Sequence, residues 1–319
     1  MKGLTESTLD GWLKKTVELL KPLYEELKRK VFSCDYVQVD ETTVPVINRE
    51  KHKADKEYLW MVRSVMERLV IFHYDGGSRA GAVIESLANQ YHFKGYLQCD
   101  GFAGYETAFK TNPDVRLLNC LVYIRRHFEQ ALDENREMAR HALTQIQHIY
   151  KIEHQCDEAG LSYDERRQAR QELSRPIMEA MKVWMETEGI KYSPGSLTGK
   201  AITYAYTKWD NIMRCLDDGR LYWDNNLAEN VQRPITLSRK NFLFCGNHEA
   251  AVNMSVICSL LATCKAHDVN PRVYLNDVIA QMPYHKKATQ EELLNLLPHK
   301  WKLKHPECVL TEQKEESCN

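Results

Sequence analysis

Tyr36-Val37-Gln38-Val39-Asp40-Glu41-Thr42 reads as a β-strand that ends in a carboxylate. Its β-branched and aromatic residues suit a pleated, half-buried surface. Gly95-Tyr96-Leu97-Gln98-Cys99-Asp100-Gly101 repeats the theme, a short strand ending in Asp100. Further on, Trp223-Asp224-Asn225-Asn226-Leu227-Ala228-Glu229-Asn230 reads as the start of a helix whose second turn carries Glu229. Hard divalent cations take oxygen ligands that stay ionised at neutral pH, and three carboxylates are enough to hold them.

Working outward, Ser7 or Thr8 can cap a long amphipathic helix to about Lys30, with Pro22 expected to kink or break it. Four β-rich segments follow, near 35–40, 43–47, 58–66 and 68–74, with residues 48–57 as a charged, solvated loop. Asp75-Gly76-Gly77-Ser78 turns the chain into a helix near 80–91, and strand 95–99 comes next. From Leu121 to Asp218 the chain reads as helical and charged, with helices near 121–155, 164–188 and 196–217. Asp224 is then expected to cap the helix of Glu229, and Pro234 to disturb its far end. An apolar helix near 249–267 and shorter ones near 271–281 and 289–297 lead to a polar end, Thr311–Asn319, expected to fray.

At 319 residues and 43% hydrophobic content, the chain can bury a sizeable core. Its net charge of −1 argues against strong global attraction to nucleic acid, so any such binding has to rest on local clusters. Arg125-Arg126-His127 and Arg233 with Arg239-Lys240 are such clusters. Ten cysteines without a Cys-x-x-Cys pair point to reduced, mostly buried thiols and not to a zinc ribbon. No secretory signal precedes Ser7 and no run approaches the roughly 18 apolar residues of a membrane span, so a soluble, cytoplasmic protein without membrane partners is expected.

Three blocks carry a resemblance: Asp40-Glu41-Thr42-Thr43-Val44-Pro45-Val46, then Gly95 to Tyr105, then Asp224-Asn225-Asn226 with Ala228-Glu229, Arg233-Pro234 and Arg239 to Gly246. In that order the chain resembles the DDE transposases of the insertion sequence sixty-six family from Ser7 to about Pro283. The resemblance implies a ribonuclease-H-like α/β fold, a mixed sheet core with a large all-α insertion between the second and third carboxylates. The expected domains are an N-terminal helix over 1–34, the first part of the core over 35–120 and the insertion over 121–218. The second part of the core, with the Glu-bearing helix, takes 219–283, and a helical tail takes 284–319.

The resemblance further implies Asp40, Asp100 and Glu229 as catalytic, metal-holding residues for Mg²⁺, with Mn²⁺ as substitute. The partners it implies are DNA, both element ends and target, and further copies of the chain in a homo-oligomer. Arg125, Arg126, Asn225, Asn226, Arg233, Arg239 and Lys240 are the candidate DNA contacts. Two departures stand out. Where family members carry Cys-Trp-Ala-His-x-Arg-Arg, this chain has Cys120-Leu121-Val122-Tyr123-Ile124-Arg125-Arg126. Family members are also longer, with an N-terminal region for DNA ends and a small zinc-binding module, whereas this chain begins just before the catalytic region.

Local competitors narrow the site. Neighbouring strand side chains point to opposite faces, so only one of Asp40 and Glu41 can serve. Asp224 stands about 140° around the helix from Glu229 and suits a cap better than a ligand. Tyr123, like Tyr204, Tyr206 and Trp209, reads as packing. The rival to a DNA-cutting and DNA-joining enzyme is a catalytically silent transposase-derived binding protein. An aspartyl-phosphate hydrolase is disfavoured, since the Asp-x-Asp-x-Thr pattern is missing and Thr42 stands two residues after Asp40.

Overall fold

The computed structural model describes residues 5–310, apart from the side chains of 238–240 and 242. The chain is a mixed α/β protein that divides into two compact units. One unit is built from residues up to Gly95 and from Leu227 onward, the other from Tyr96–Asn226.

The first unit opens with α1 (Glu6–Phe32), capped by Thr5, whose hydroxyl accepts the Thr8 amide. This is two residues earlier than Ser7, and the helix continues through Pro22. Leu20, Leu23, Tyr24 and Leu27 are buried on either side of the proline and hold the helix by packing where one backbone bond is lost. Strand β1 (Tyr36–Asn48) is one uninterrupted strand where two were expected. It pairs antiparallel with β2 (Lys53–Ser64) along its length, from Val37↔Ser64 to Asn48↔Lys53. The charged loop is therefore only the tip of this hairpin. Strand β3 (Val70–His73) pairs antiparallel with β2, and α2 (Ala82–Gln90) follows.

Pro45 fits inside β1 because its carbonyl accepts the Cys245 amide at 2.8 Å, on the side away from β2. The ring nitrogen points the same way, so no bond to β2 is lost.

The second unit holds β4 (Gly95–Cys99) from Tyr96 on, α3 (Ala103–Phe109) and β5 (Val115–Asn119), with β4 and β5 neighbours in a sheet. Neither α3 nor β5 stands out from the sequence pattern. Val115, Leu117, Leu118 and Asn119 of β5 are buried and only Arg116 is exposed, so the strand lacks a clean alternation. Helices α4 (Leu121–Ala131), α5 (Arg136–Glu158), α6 (Tyr163–Ala169), α7 (Arg175–Gly189) and α8 (Leu197–Met213) form the all-helical block. A single π turn, Arg170–Ser174, joins α6 to α7.

The chain returns to the first unit through α9 (Asn226–Phe242), which runs past Pro234 without a break. Then come α10 (His248–Ala266), α11 (Pro271–Gln281), α12 (Gln290–Leu296) and α13 (Pro298–Trp301). Val44 and Val46 of β1, Leu59 and Met61 of β2 and Val70 and Phe72 of β3 form one apolar face. Ala228 and Ile235 of α9 and Ala251 of α10 pack on it. Ser255, Ser259 and Thr263 recur every fourth residue on α10 and so share one face. The Phe72 amide donates to Ser259 Oγ at 2.8 Å and the Val70 amide to Thr263 Oγ1 at 3.1 Å. These hydroxyls satisfy the outer edge of β3, where another strand would otherwise bind. Among the described residues no helix is long and apolar enough to cross a membrane.

Candidate active site

Asp40 and Glu229 belong to the first unit and Asp100 to the second. On β1 the even-numbered side chains face α9: Val44 and Val46 lie in its apolar cluster, and Gln38 Oε1 accepts the Ala228 amide at 3.1 Å. Asp40 shares this face by strand alternation. It is half-buried, and its Oδ1 accepts the Glu41 amide at 2.9 Å. Glu41 faces the other way. Its carboxylate is only 3% exposed and forms an ion pair with Arg79 at 2.8 Å. The competition between the two neighbours is thereby decided for Asp40 as the carboxylate on the α9 face.

Glu229 is half-buried in the first turn of α9. Two backbone grips fix that turn to the sheet: the Ala228 bond to Gln38, and a donation from Arg63 Nη1 to the Leu227 carbonyl at 3.5 Å. Gln38 and Arg63 are partners across the β1–β2 ladder. Neither was singled out from the sequence. Asp40 lies in mid-strand and not at a strand end, and a glutamine two residues before it on the same face is the signal that could have pointed to them.

Asp100 stands directly after β4 and is half-buried. Its Oδ1 accepts the Phe102 amide at 2.8 Å, and its carbonyl accepts the Tyr204 hydroxyl at 3.0 Å. Gly101 has φ +98, and a Cβ there would sit 2.7 Å from the Tyr204 oxygen. Glycine is thus required by both backbone conformation and space. Burial raises the Tyr204 phenol well above its ordinary range, so it remains a donor. The His127 ring packs on Tyr204 with centroids 4.2 Å apart, and burial lowers the His127 pKa. Tyr204 therefore does more than pack. Of its sequence companions, Trp209 is in the core, while Tyr206 is exposed and bonds Glu186.

The third block begins in the second unit. Asp224 Oδ1 accepts the Asn226 amide at 3.1 Å, at the first residue of α9. Asn225 is buried and its amide donates to Cys120 Sγ at 3.3 Å, whereas Asn226 is exposed. Burial pushes the Cys120 thiol up to about 12, so this sulfur is a neutral acceptor. Arg125 pairs with Glu129 on its own helix at 2.9 Å, and Arg126 lies 4.7 Å over the Tyr123 ring. Arg233 is exposed. The side chains of Arg239 and Lys240, and the Thr311–Asn319 end, lie outside the described residues. The Arg239–Gly246 motif does show a backbone role: the amide of Cys245 donates to Pro45 O, and its carbonyl accepts Ile47 N at 2.9 Å.

The donor chemistry, carboxylate oxygens alone, fits a hard divalent cation. Among the described residues, no group of three or more His, Cys, Asp or Glu is gathered closely enough to hold a metal ion. The nine described cysteines are free thiols.

The chain is similar to three uncharacterized proteins of Sinorhizobium fredii. It is 28% identical to y4hP, over 94% of this chain and 56% of that protein. It is 28% identical to y4jD, over 94% of this chain and 60% of that protein, and 27% identical to y4qI, over 91% and 56%. The chain thus spans little more than half the length of these relatives. The family described as "Transposase IS66 family" matches residues 3–253, and the "IS66 C-terminal element" matches residues 259–299. With both models matched in order along nearly its whole length, the chain belongs to the IS66 transposase family.

Proposed function

We propose that this chain cleaves DNA strands and joins them to a target during transposition of an insertion sequence, with Asp40, Asp100 and Glu229 carrying the chemistry. The observation that carries the reading is the α9 face of β1. It presents Asp40, turns Glu41 away into an ion pair with Arg79, and seats the turn that bears Glu229 through Gln38. Family membership supports the reaction class.

Asp40, Asp100 and Glu229 are the residues that would hold Mg²⁺, or Mn²⁺ in its place. A divalent pair so held supplies activation of the attacking oxygen and stabilisation of charge on the leaving one. The chain's own part is to keep these carboxylates ionised and oriented. Gln38 and Arg63 hold α9, while Tyr204 and the Phe102 amide hold Asp100. Arg125, Arg126, Asn226, Arg233, Arg239 and Lys240 are proposed to contact phosphates, with Asn225 bracing the turn from within. The substrate is DNA, element ends and target, handled by a homo-oligomer in the bacterial cytoplasm.

The test is nicking of supercoiled plasmid with Mg²⁺ or Mn²⁺. Metal-dependent nicking lost in Asp100→Asn supports the reading. Nicking equal in both proteins sinks it. A silent, transposase-derived binding protein is favoured by one observation, Tyr123 packed under Arg126 where the family has histidine. It would bind DNA and leave plasmid intact.

A further inference from the structure

Arg170 is 1% exposed, in the middle of the helical block of the second unit, and opens its π turn. All five of its N–H donors are used. Nε and Nη2 reach the two Glu153 oxygens at 2.8 and 2.7 Å. The other three donors meet main-chain carbonyls of the segment that follows α8: Cys215, in a short 3₁₀ turn, at 2.8 Å, Asp218 at 2.9 Å and Leu221 at 2.8 Å. The Trp223 ring lies 5.5 Å from the guanidinium carbon, and the next residue on the π turn, Gln171, donates to the Leu216 carbonyl at 2.7 Å.

The segment so gripped leads straight into the third block. Gln98, two residues before Asp100, donates to the Tyr222 carbonyl at 2.7 Å. The Leu121 amide donates to the Trp223 carbonyl at 2.8 Å, and the Asn225 amide to Cys120. Residues 215–225 are therefore held from two sides, by the π turn of the helical block and by β4, which leads to Asp100, together with the start of α4.

We infer that Arg170, braced by Glu153, is a positioning residue that fixes residues 215–223 and through them the Asp224-Asn225-Asn226 start of α9. In its relevance to catalysis this rests on the reading under "Proposed function". Only a planar fork suits such a role, because lysine could match the charge but not three carbonyls and a bidentate carboxylate at once. The π geometry is consistent with it, since such turns are rare and concentrate at functional sites. Burial by itself would raise the Glu153 carboxyl, but the Arg170 bonds and charge outweigh it and hold the group below the usual carboxylate range. The pair thus stays ionised at neutral pH.

The test separates holding the fold from holding the segment. Arg170→Lys keeps the charge and loses carbonyl grips. It is expected to slow metal-dependent plasmid nicking by roughly tenfold or more per folded molecule, a loss typical of small misplacement, with a much smaller loss of DNA affinity through Asn226. Glu153→Gln keeps the carbonyl grips. It loosens the brace on Arg170 and is expected to lower the melting temperature and to slow nicking per folded molecule by less than Arg170→Lys does. Amide exchange is the readout that does not need activity: residues 215–226 exchange faster in Arg170→Lys while α5 and α7 remain protected. Where Arg170→Lys does not fold, Gln171→Ala takes its place in both measurements. Unchanged nicking per folded molecule, or unchanged protection of 215–226, overturns the inference. Nicking absent from wild type, or surviving Asp100→Asn, removes the enzymatic reading instead, and exchange alone then decides the role of Arg170.

Discussion

Gln38 and Ala228, 190 positions apart in the chain, are joined by a buried hydrogen bond from the Ala228 amide to Gln38 Oε1 at 3.1 Å. This bond seats the first turn of α9 on the strand face of Asp40. Gln38→Met keeps the length and removes the acceptor, leaving a buried amide unsatisfied. The expected cost is about 1–3 kcal/mol in denaturant unfolding. Nicking per folded molecule should fall with it, and wild-type stability in the variant would show that the bond does not hold the helix.

Asp40 and Glu41 make a paired test. Asp40→Asn is expected to reduce metal-dependent nicking by about a hundredfold or more, as for loss of a group that stabilises developing charge. Glu41→Gln keeps an acceptor for Arg79 and leaves the α9 face untouched, so the nicking rate should stay within about threefold, while losing the charge of this buried carboxylate should show as lower stability. The reverse ranking, read from initial rates on supercoiled plasmid, would move the ligand role to Glu41.

Tyr204→Phe removes only the hydroxyl that the Asp100 carbonyl accepts. The expected stability loss is about 0.5–1.5 kcal/mol, the net worth of one hydrogen bond. The larger effect should be on turnover, because the turn at Asp100-Gly101 loses its fixed point. A thermal melt together with nicking rates checks this. Equal turnover would make Tyr204 a packing residue after all.

Three histidines in the first unit, His73 half-buried and His267 and His299 buried, make stability depend on acid. Burial lowers His73, His267 and His299 from the ordinary value of 6.5 to about 4 each. Nearby cations, Lys28 for His73 and Lys302 for His267, and the facing His267 ring for His299, add to this. Between pH 6.5 and about 4 the unfolded chain binds more protons than the folded one. Stability is therefore full above that window and falls as pH drops through it, by at most about 1.4 kcal/mol per pH unit for each histidine. Neither ring nitrogen of His299 has a hydrogen-bond partner among the described residues. His299→Phe should thus be neutral or stabilising at pH 7 and flatten the acid slope, as measured by denaturation midpoints across pH.

Much of this was legible in the residues, and the misses have physical causes. Strand β4 and helices α10 and α11 are marked by apolar runs with clear Gly, Asn or Pro boundaries, and the reading placed them closely. The sequence of β1 reads as two strands because Asp40-Glu41-Thr42-Thr43 is polar in mid-strand, whereas pairing with β2 carries the strand straight through it. Local propensity marks Pro22 and Pro234 as breaks, but buried neighbours on both sides carry α1 and α9 through them. The motif residues of the candidate site were visible one by one. Gln38, Arg63, Tyr204 and Arg170 were not, because each acts on a main-chain group far away in sequence, and no short spacing records such a partner.

The hydroxyl-capped edge of β3 bears on how the protein is made. Strands β1 to β3 leave the ribosome long before Ser259 and Thr263, whose hydroxyls close that edge. During synthesis the nascent hairpin carries open amides at Val70 and Phe72 beside an apolar face that still lacks α9 and α10. Such a species is prone to pair with its neighbours on a polysome. A chain truncated before α10 should collect in the insoluble fraction, and the Ser259 and Thr263 hydroxyls are what keep the edge of β3 from pairing with another open strand.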